Sequence, residues 1–441
     1  MNKTKLSGKF WLALVIFSLI GQIAWVIENM YFNVFIYKMF RASAADISLM
    51  VAASAVAATL TTIFIGALSD KLGKRKIFIC GGYILWGISI LAFAFIRTDV
   101  INKLFPGVVS AAAAGVSIVI VMDCVMTFFG STANDACFNA WLTDSTDATN
   151  RGAAEGVNAM MPLIAILAVF GGFMGFDLDR AESWTTIYLI IGIAVSLIGV
   201  LGFFLIKEPR IDTAQNARYF ANIAYGFRPS VMKENPVLYA ALAAFALFGI
   251  SIQIFMPYLI LYYEVSLGLS NYVLVMAPAI IVAAAVTAFY GRFYDKVHFQ
   301  KAVIPALAML GLGYVLLYFF RNTPLVFAGS LLMMSGYLAG MAVFGAVIRD
   351  YTPANRAGMF QGLRIVGQVL IPGIIGPAIG AAVLKGAEVI VNSDGTTSFV
   401  PNRNIFLAAL IAGLCILPML AVIFKMMRND HESPETAVFT R

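Results

Sequence analysis

The stretch GALSDKLGKRK, Gly66 to Lys76, interrupts a hydrophobic chain at an informative place. One apolar run, 46–67, ends in it, and another, 77–97, begins just after it. Each run reaches the roughly 20 residues needed to cross a hydrocarbon core as a helix. Working outward, ten more such runs lie near 10–37, 107–141, 153–175, 185–206, 237–262, 271–290, 302–320, 325–348, 358–384 and 404–427. Of the 441 residues, 61% are hydrophobic and only 12% charged. Soluble domains hold about 45–50% apolar and about 25% charged residues. A soluble enzyme, a disordered protein and a nucleic-acid binder are therefore excluded. The expected fold is an all-α integral membrane protein of twelve transmembrane helices. The runs lack the dyad alternation of an outer-membrane barrel. The run from Phe10 is too long for a cleaved signal.

Lysine and arginine set the expected orientation, because cytoplasmic loops collect them. With the N-terminus inside, 21 of the 30 Lys and Arg residues fall in cytoplasmic segments and 8 outside, with Arg364 inside a span. Both termini are thus expected in the cytoplasm of a plasma-membrane protein. The formal charge of +7 then needs no acidic partner. The four cysteines lie in apolar runs with no disulfide or metal spacing. The longest polar segment, 207–236, divides the chain into six-helix halves, 1–206 and 237–441. The stretch 385–403 reads as a hairpin turned by Asp394-Gly395, a preferred tight-turn pair.

The halves repeat one another. Gly291-Arg292-Phe293-Tyr294-Asp295-Lys296 follows the eighth run as Gly66 to Lys71 follows the second, with Gly four residues before Asp-Lys in both. Asp144, Asn150-Arg151 and Gly156 after the fourth run match Asp350, Asn355-Arg356 and Gly362 after the tenth; the Asp-to-Gly distance is twelve in each. Two matches in the same order point to duplication, the usual construction of transporters.

Gly66-x-Leu68-x-Asp70-x-x-Gly73-Lys74-Arg75-Lys76 resembles the loop signature of the major facilitator superfamily. The stretch Asp135-Ala-Cys-Phe-Asn-Ala-Trp-Leu-Thr-Asp144-Ser-Thr146, with Arg151 downstream, resembles the span-four signature of glycoside–pentoside–hexuronide cation symporters. Gly362 through Pro372-Gly373 resembles span eleven of sucrose-type transporters. These resemblances imply the major facilitator fold in two pseudo-symmetric halves, a sugar or glycoside as cargo, cation coupling, and a latching role for the loop of Asp70. Span two, however, has no acid in its membrane core, which disfavours a sodium site of the melibiose type.

Ionisable residues inside a span cost roughly 2.5–3.5 kcal/mol on insertion scales and are functional candidates. Here they are Glu28, Asp123, Asp135 and Arg364. In span one, Gln22, Trp25, Asn29 and Asn33 step by three and four along one face, with Glu28 at its margin. Such a stripe either lines a wet cavity or joins helices. Trp25 could stack on a sugar ring beside the hydrogen-bonding Gln22 and Asn29. Trp141 either does the same or anchors at the interface. Arg364 either binds substrate or an acid, with Gln368 continuing its face, or snorkels to water. Tyr258 and Tyr262, four apart, are expected to share a face on the opposite wall. Asp135 or Asp123 is the expected coupling acid, binding a proton rather than sodium. The repeated loops supply the expected gating set: Gly66, Asp70, Gly73, Arg75, Asp144 and Arg151, then Gly291, Asp295, Asp350 and Arg356.

The function expected is secondary active transport of a small polar solute by a monomer in lipid. The alternative keeps the fold as a drug or metabolite exporter. No nucleophile–base pair, metal cluster or nucleotide loop supports an enzyme or an ATP-driven pump. No cofactor and no nucleic acid is expected.

Overall fold

The computed structural model describes residues 5–107, 110–147, 150–209, 225–269, 271–353, 357–392 and 395–432. Among these, twelve helices are long and apolar enough to cross a membrane. They are Gly8–Phe40, Ala44–Leu72, Lys76–Phe93, Ala111–Asp144, Ala153–Phe173, Ala181–Leu205, Pro236–Ser266, Val273–Tyr290, Phe293–Phe319, Thr323–Tyr351, Gly362–Val383 and Asn404–Asn429, called spans one to twelve. Every expected run carries one. Large apolar side chains such as Leu49, Leu60, Phe64, Leu197 and Phe204 stand exposed on these helices, as a hydrocarbon solvent requires.

Local chemistry sets the ends. Ser43 caps span two, and Asp46 closes a capping box with it, so this acid belongs to the helix start. Gly73 ends the same helix at φ 65°, a left-handed conformation that glycine adopts without steric penalty. A kink at His298, whose φ is 58°, breaks the continuous helix Val273–Phe319 that carries spans eight and nine.

Among the described residues, four π-helical segments interrupt the spans: Ile27–Tyr31, Ser131–Phe138, Tyr262–Ser266 and Val366–Leu370. Each contains a polar residue, respectively Glu28, Asn134, Glu264 and Gln368. A π-bulge inserts an extra residue into the turn and re-aims the side chains around it, often at functional sites.

The chain forms two compact units. The first comprises Met1–Tyr219, Pro257–Leu261 and Gly386–Val400, and the second comprises Phe220–Met256, Tyr262–Lys385 and Pro401–Arg441. Two segments from late in the sequence therefore pack with spans one to six. The Tyr258 hydroxyl donates to the Ala44 carbonyl at 2.9 Å, and the Tyr37 hydroxyl donates to that of Phe399 at 2.6 Å. Phe399 belongs to an antiparallel hairpin, β1 Val389–Val391 and β2 Thr397–Phe399, in which Val391 pairs with Thr397. The hairpin expected within 385–403 is therefore present, and its connection runs over 392–396. Gly395 takes φ 79° within it, while Asp394 lies outside the described residues. In the 207–236 linker, a short helix Pro229–Glu234 precedes span seven.

Candidate functional site

The first unit holds three polar clusters, each built by side chains from several spans. The deepest joins spans one, two and four. Ser54 Oγ donates to Glu28 Oε1 at 2.8 Å, Thr127 Oγ1 donates to the same oxygen at 2.8 Å, and the two hydroxyls stand 2.7 Å apart. Three oxygens thus touch pairwise, while the two hydroxyls bring only two protons. Asp123 lies close enough for its carboxylate to interact electrostatically with Glu28. Glu28 is 7% exposed and Asp123 is 1% exposed. Glu28 Oε2 and Asp123 Oδ1 are buried without a hydrogen-bond partner among the described residues. Charge-assisted bonds contribute about 1.5–3 kcal/mol each, so Ser54 and Thr127 offset part of the cost of burying Glu28. Nothing comparable is seen for Asp123 Oδ1. The cluster is rich in oxygen and short of positive charge.

Sequence spacing placed Glu28 at the margin of the stripe. The π-segment Ile27–Tyr31 instead buries it against spans two and four. Ser54 was missed because a hydroxyl is inexpensive in a helix and leaves no hydropathy signal.

The stripe itself splits. Gln22 and Trp25 are half-buried, Asn29 is exposed and Asn33 is fully buried. Asn29 Nδ2 donates to the Trp25 carbonyl at 2.8 Å, and Asn33 Nδ2 donates to that of Asn29 at 3.0 Å. The second cluster is anchored on Trp25. Its Nε1 donates to Asn134 Oδ1 at 3.3 Å, Asn134 Nδ2 donates to the Tyr83 hydroxyl at 2.7 Å, and that hydroxyl donates to the Phe17 carbonyl at 2.6 Å. The Trp25 and Trp86 rings lie 5.1 Å apart. This relay fixes the indole of Trp25 while leaving it partly open, which suits stacking on an apolar ring face. A side chain at Gly21 would collide with both Asn134 and Tyr83. Asp135, the residue of the symporter-like signature, is half-buried beside this relay and accepts from Ser131 Oγ at 3.0 Å. Trp141 is neither a stacking platform nor an interfacial anchor. It is 2% exposed, lies against Phe10 and donates to the Lys207 carbonyl at 3.0 Å.

The third cluster is the corner where loop 66–76 meets the end of span four. Arg75 pairs with Asp70 and, through Nε, with Asp144 at 3.0 Å, while its Nη1 donates to Ser69 Oγ at 2.8 Å. Burial alone would loosen the guanidinium's hold on its proton. The two carboxylates outweigh burial and push its pKa above the ordinary value. Glu208, which sequence reasoning passed over, accepts from the backbone N–H of Arg75 at 2.5 Å and of Lys76 at 3.2 Å. It thereby caps span three. Gly66 has open space, its nearest neighbour to a built Cβ being Ala136 at 3.8 Å. Arg151 donates to the carbonyls of Thr143 and Thr146, tying span five to span four.

In the second unit the repeated positions are used differently. Tyr294, in register with Ser69, donates to Asp350 Oδ2 at 2.7 Å. Asp295, in register with Asp70, is exposed. Gln300 stands where the repeat places Arg75. Arg356 lies outside the described residues. Arg364 Nε donates to Gln368 Oε1 at 3.3 Å, and Arg364 is half-buried. Tyr258 does not form an open wall with Tyr262: it is fully buried and spent on Ala44. Tyr262 donates to the Leu317 carbonyl at 3.3 Å. Among the described residues no group of three or more His, Cys, Asp or Glu side chains could hold a metal ion.

These features were compared with known proteins. Sugar efflux transporter B of Salmonella typhimurium is 26% identical over 200 residues, which is 45% of this chain and 46% of that protein. The match spans about half the length of that relative. A bacterial homolog of the human lysosomal transporter Spinster superposes with a TM-score of 0.70 at 16% identity, covering 98% of this chain and 100% of its own. A D-xylose-proton symporter gives 0.63 at 15% identity, covering 93% and 97%. At such identities the structures establish the fold alone. The family description Major Facilitator Superfamily matches residues 10–377. The chain therefore belongs to the Major Facilitator Superfamily, as a multi-pass membrane transporter and not an enzyme.

Proposed function

We propose that the chain carries a small polar solute, a sugar or glycoside, across the plasma membrane by alternating access. The six-helix halves 1–206 and 237–441 work about the linker 207–236, as a monomer with both termini in the cytoplasm. Transport is coupled to a cation, a proton in preference to sodium. The observation that carries this reading is the triangle of Glu28, Ser54 and Thr127, with Asp123 beside it. Two hydroxyl protons serve three close oxygen contacts, and a third proton on the carboxyl group completes the set. A proton there also removes a charge from the membrane interior. A bound cation biases two conformations only through unequal affinity for them, and a carboxylate alternately sealed and hydrated supplies that inequality.

The solute class is supported by the half-open Trp25 with Gln22 and Asn134 nearby, by the glycoside-type signature at Asp135, and by the names of the sugar-carrying relatives. Gating is assigned to Arg75 with Asp70 and Asp144 in the first half and to Tyr294 with Asp350 in the second. Arg364 and Gln368 are the second half's candidates for solute contact. A second reading, export, is favoured by the efflux function in the name of the Salmonella protein.

The test is solute flux in vesicles of both orientations with imposed proton or sodium gradients. Accumulation driven by a proton gradient and abolished in Glu28→Gln or Asp123→Asn supports the reading. Normal accumulation in both variants sinks it, and accumulation that follows sodium at fixed pH replaces the proton. The direction of downhill coupling separates import from export.

A further inference from the structure

At the end of span three away from Arg75, the first unit holds a cavity of about 370 Å³ that the transport reading does not use. Its floor is aromatic: Phe35, Phe40, Phe93 and Trp184 are each at most 2% exposed. Its rim is charged. Arg97 Nε donates to Asp99 Oδ1 at 3.1 Å, while Arg97 Nη2 stands 3.9 Å from Glu182 Oε1, beyond hydrogen-bond reach. The guanidinium is one-third exposed and both carboxylates are more than half exposed. Phe95, between the lining residues Ala94 and Ile96, is 64% exposed.

We propose that this cavity binds one membrane phospholipid by its phosphoethanolamine headgroup. The rim presents one cation and two anions, which suits a ligand carrying both signs. The phosphate takes the outer donors of Arg97, whose planar fork fits phosphate oxygens. The primary ammonium donates to Asp99 and Glu182. The glycerol and first methylenes cover the aromatic floor, and the acyl chains leave past Phe95. A choline headgroup has no N–H to donate to the carboxylates, and a glycerol headgroup has no cation for them. The exposed Phe95 ring between the lining residues favours a lipid over a free phosphate ester.

The experiment uses the full chain purified in detergent and exposed to equal amounts of phosphatidylethanolamine, phosphatidylcholine and phosphatidylglycerol with identical acyl chains. Native mass spectrometry counts the retained lipid. One phosphatidylethanolamine should be held about tenfold above the other two. Arg97→Gln should lose that preference, and so should the double variant Asp99→Asn with Glu182→Gln, which decides the matter if the arginine variant does not fold. Equal retention of the three lipids by the unaltered chain overturns the proposal. So does a preference that survives the double variant, or full displacement by acyl-free glycerophosphoethanolamine at the concentration of the lipid.

Discussion

The two halves of the molecule share a plan and differ in how they bury polar groups. Among the described residues, the buried charged side chains are Glu28, Lys38, Arg75 and Asp123, all in the first half of the sequence. In the second half the buried polar positions are hydroxyls: Ser251 bonds with Tyr314 at 3.1 Å, and Ser330 with Tyr263. The contrast is clearest at the repeated corner. In the first half Asp144 is reached by the Arg75 guanidinium, which also holds Asp70. In the second half its counterpart Asp350 is reached by the Tyr294 phenol, with no arginine in register. The acid at the end of the fourth run recurs at the end of the tenth, as Asp144 and Asp350, but its partner differs. A buried ion needs its partner in place, whereas a hydroxyl can rotate to another acceptor. Among the described residues the buried charges therefore lie in the first half of the sequence, where the second half buries hydroxyls.

Breaking the ion-bearing half at its deepest point should have the largest effect. Glu28→Gln and Asp123→Asn should each lower gradient-driven accumulation by about a hundredfold, some 2.7 kcal/mol of lost coupling, while counterflow of labelled solute persists. Vesicle accumulation compared with counterflow checks this. If Ser251→Ala, which removes a buried hydroxyl of the second half, has the same effect, the contrast fails.

Next comes the corner. Arg75→Gln leaves Asp70 and Asp144 facing one another and should destabilise the purified protein by about 3 kcal/mol. Arg75→Lys should recover only part of that, because an ammonium cannot span two carboxylates as a guanidinium fork does. Thermal unfolding in detergent measures both, and full recovery by lysine would show that charge alone suffices.

Tyr294→Phe removes one hydrogen bond to a carboxylate at the equivalent site and should cost about 1.5 kcal/mol. A loss as large as that of Arg75→Gln in the same assay would make the two corners equivalent. The smallest effect is expected from Asp295→Asn, within about 0.5 kcal/mol, since an exposed side chain away from any cluster contributes little. A larger loss there would restore the symmetry that the repeated sequence implied.

Much of this architecture was legible in advance. The spans followed from apolar run length, because a helix in lipid must satisfy its own backbone and needs about 20 residues to cross. The repeat pointed to Asp70 and Asp144, and the loop signature Gly66–Lys76 to Arg75. Glu28 and Asp123 were legible as costly ions in a hydrophobic chain, though not as one pair.

What the sequence by itself determined, then, is the set of helices and the residues too polar to face lipid. The tertiary structure alone decided which of those residues meet. It brought Ser54 and Thr127 to Glu28, made Asn134 rather than Asp135 the link between Trp25 and Tyr83, and turned Tyr258 toward Ala44. It also set Tyr294 instead of Asp295 against the matched acid. The physical reason lies in the π-segments and in long-range packing. A regular period of 3.6 residues fixes every face of a helix, but one extra residue in a turn rotates every side chain beyond it. Nothing in the local sequence of Ile27–Tyr31 or Ser131–Phe138 announces that insertion; it is set by contacts between spans far apart in the chain.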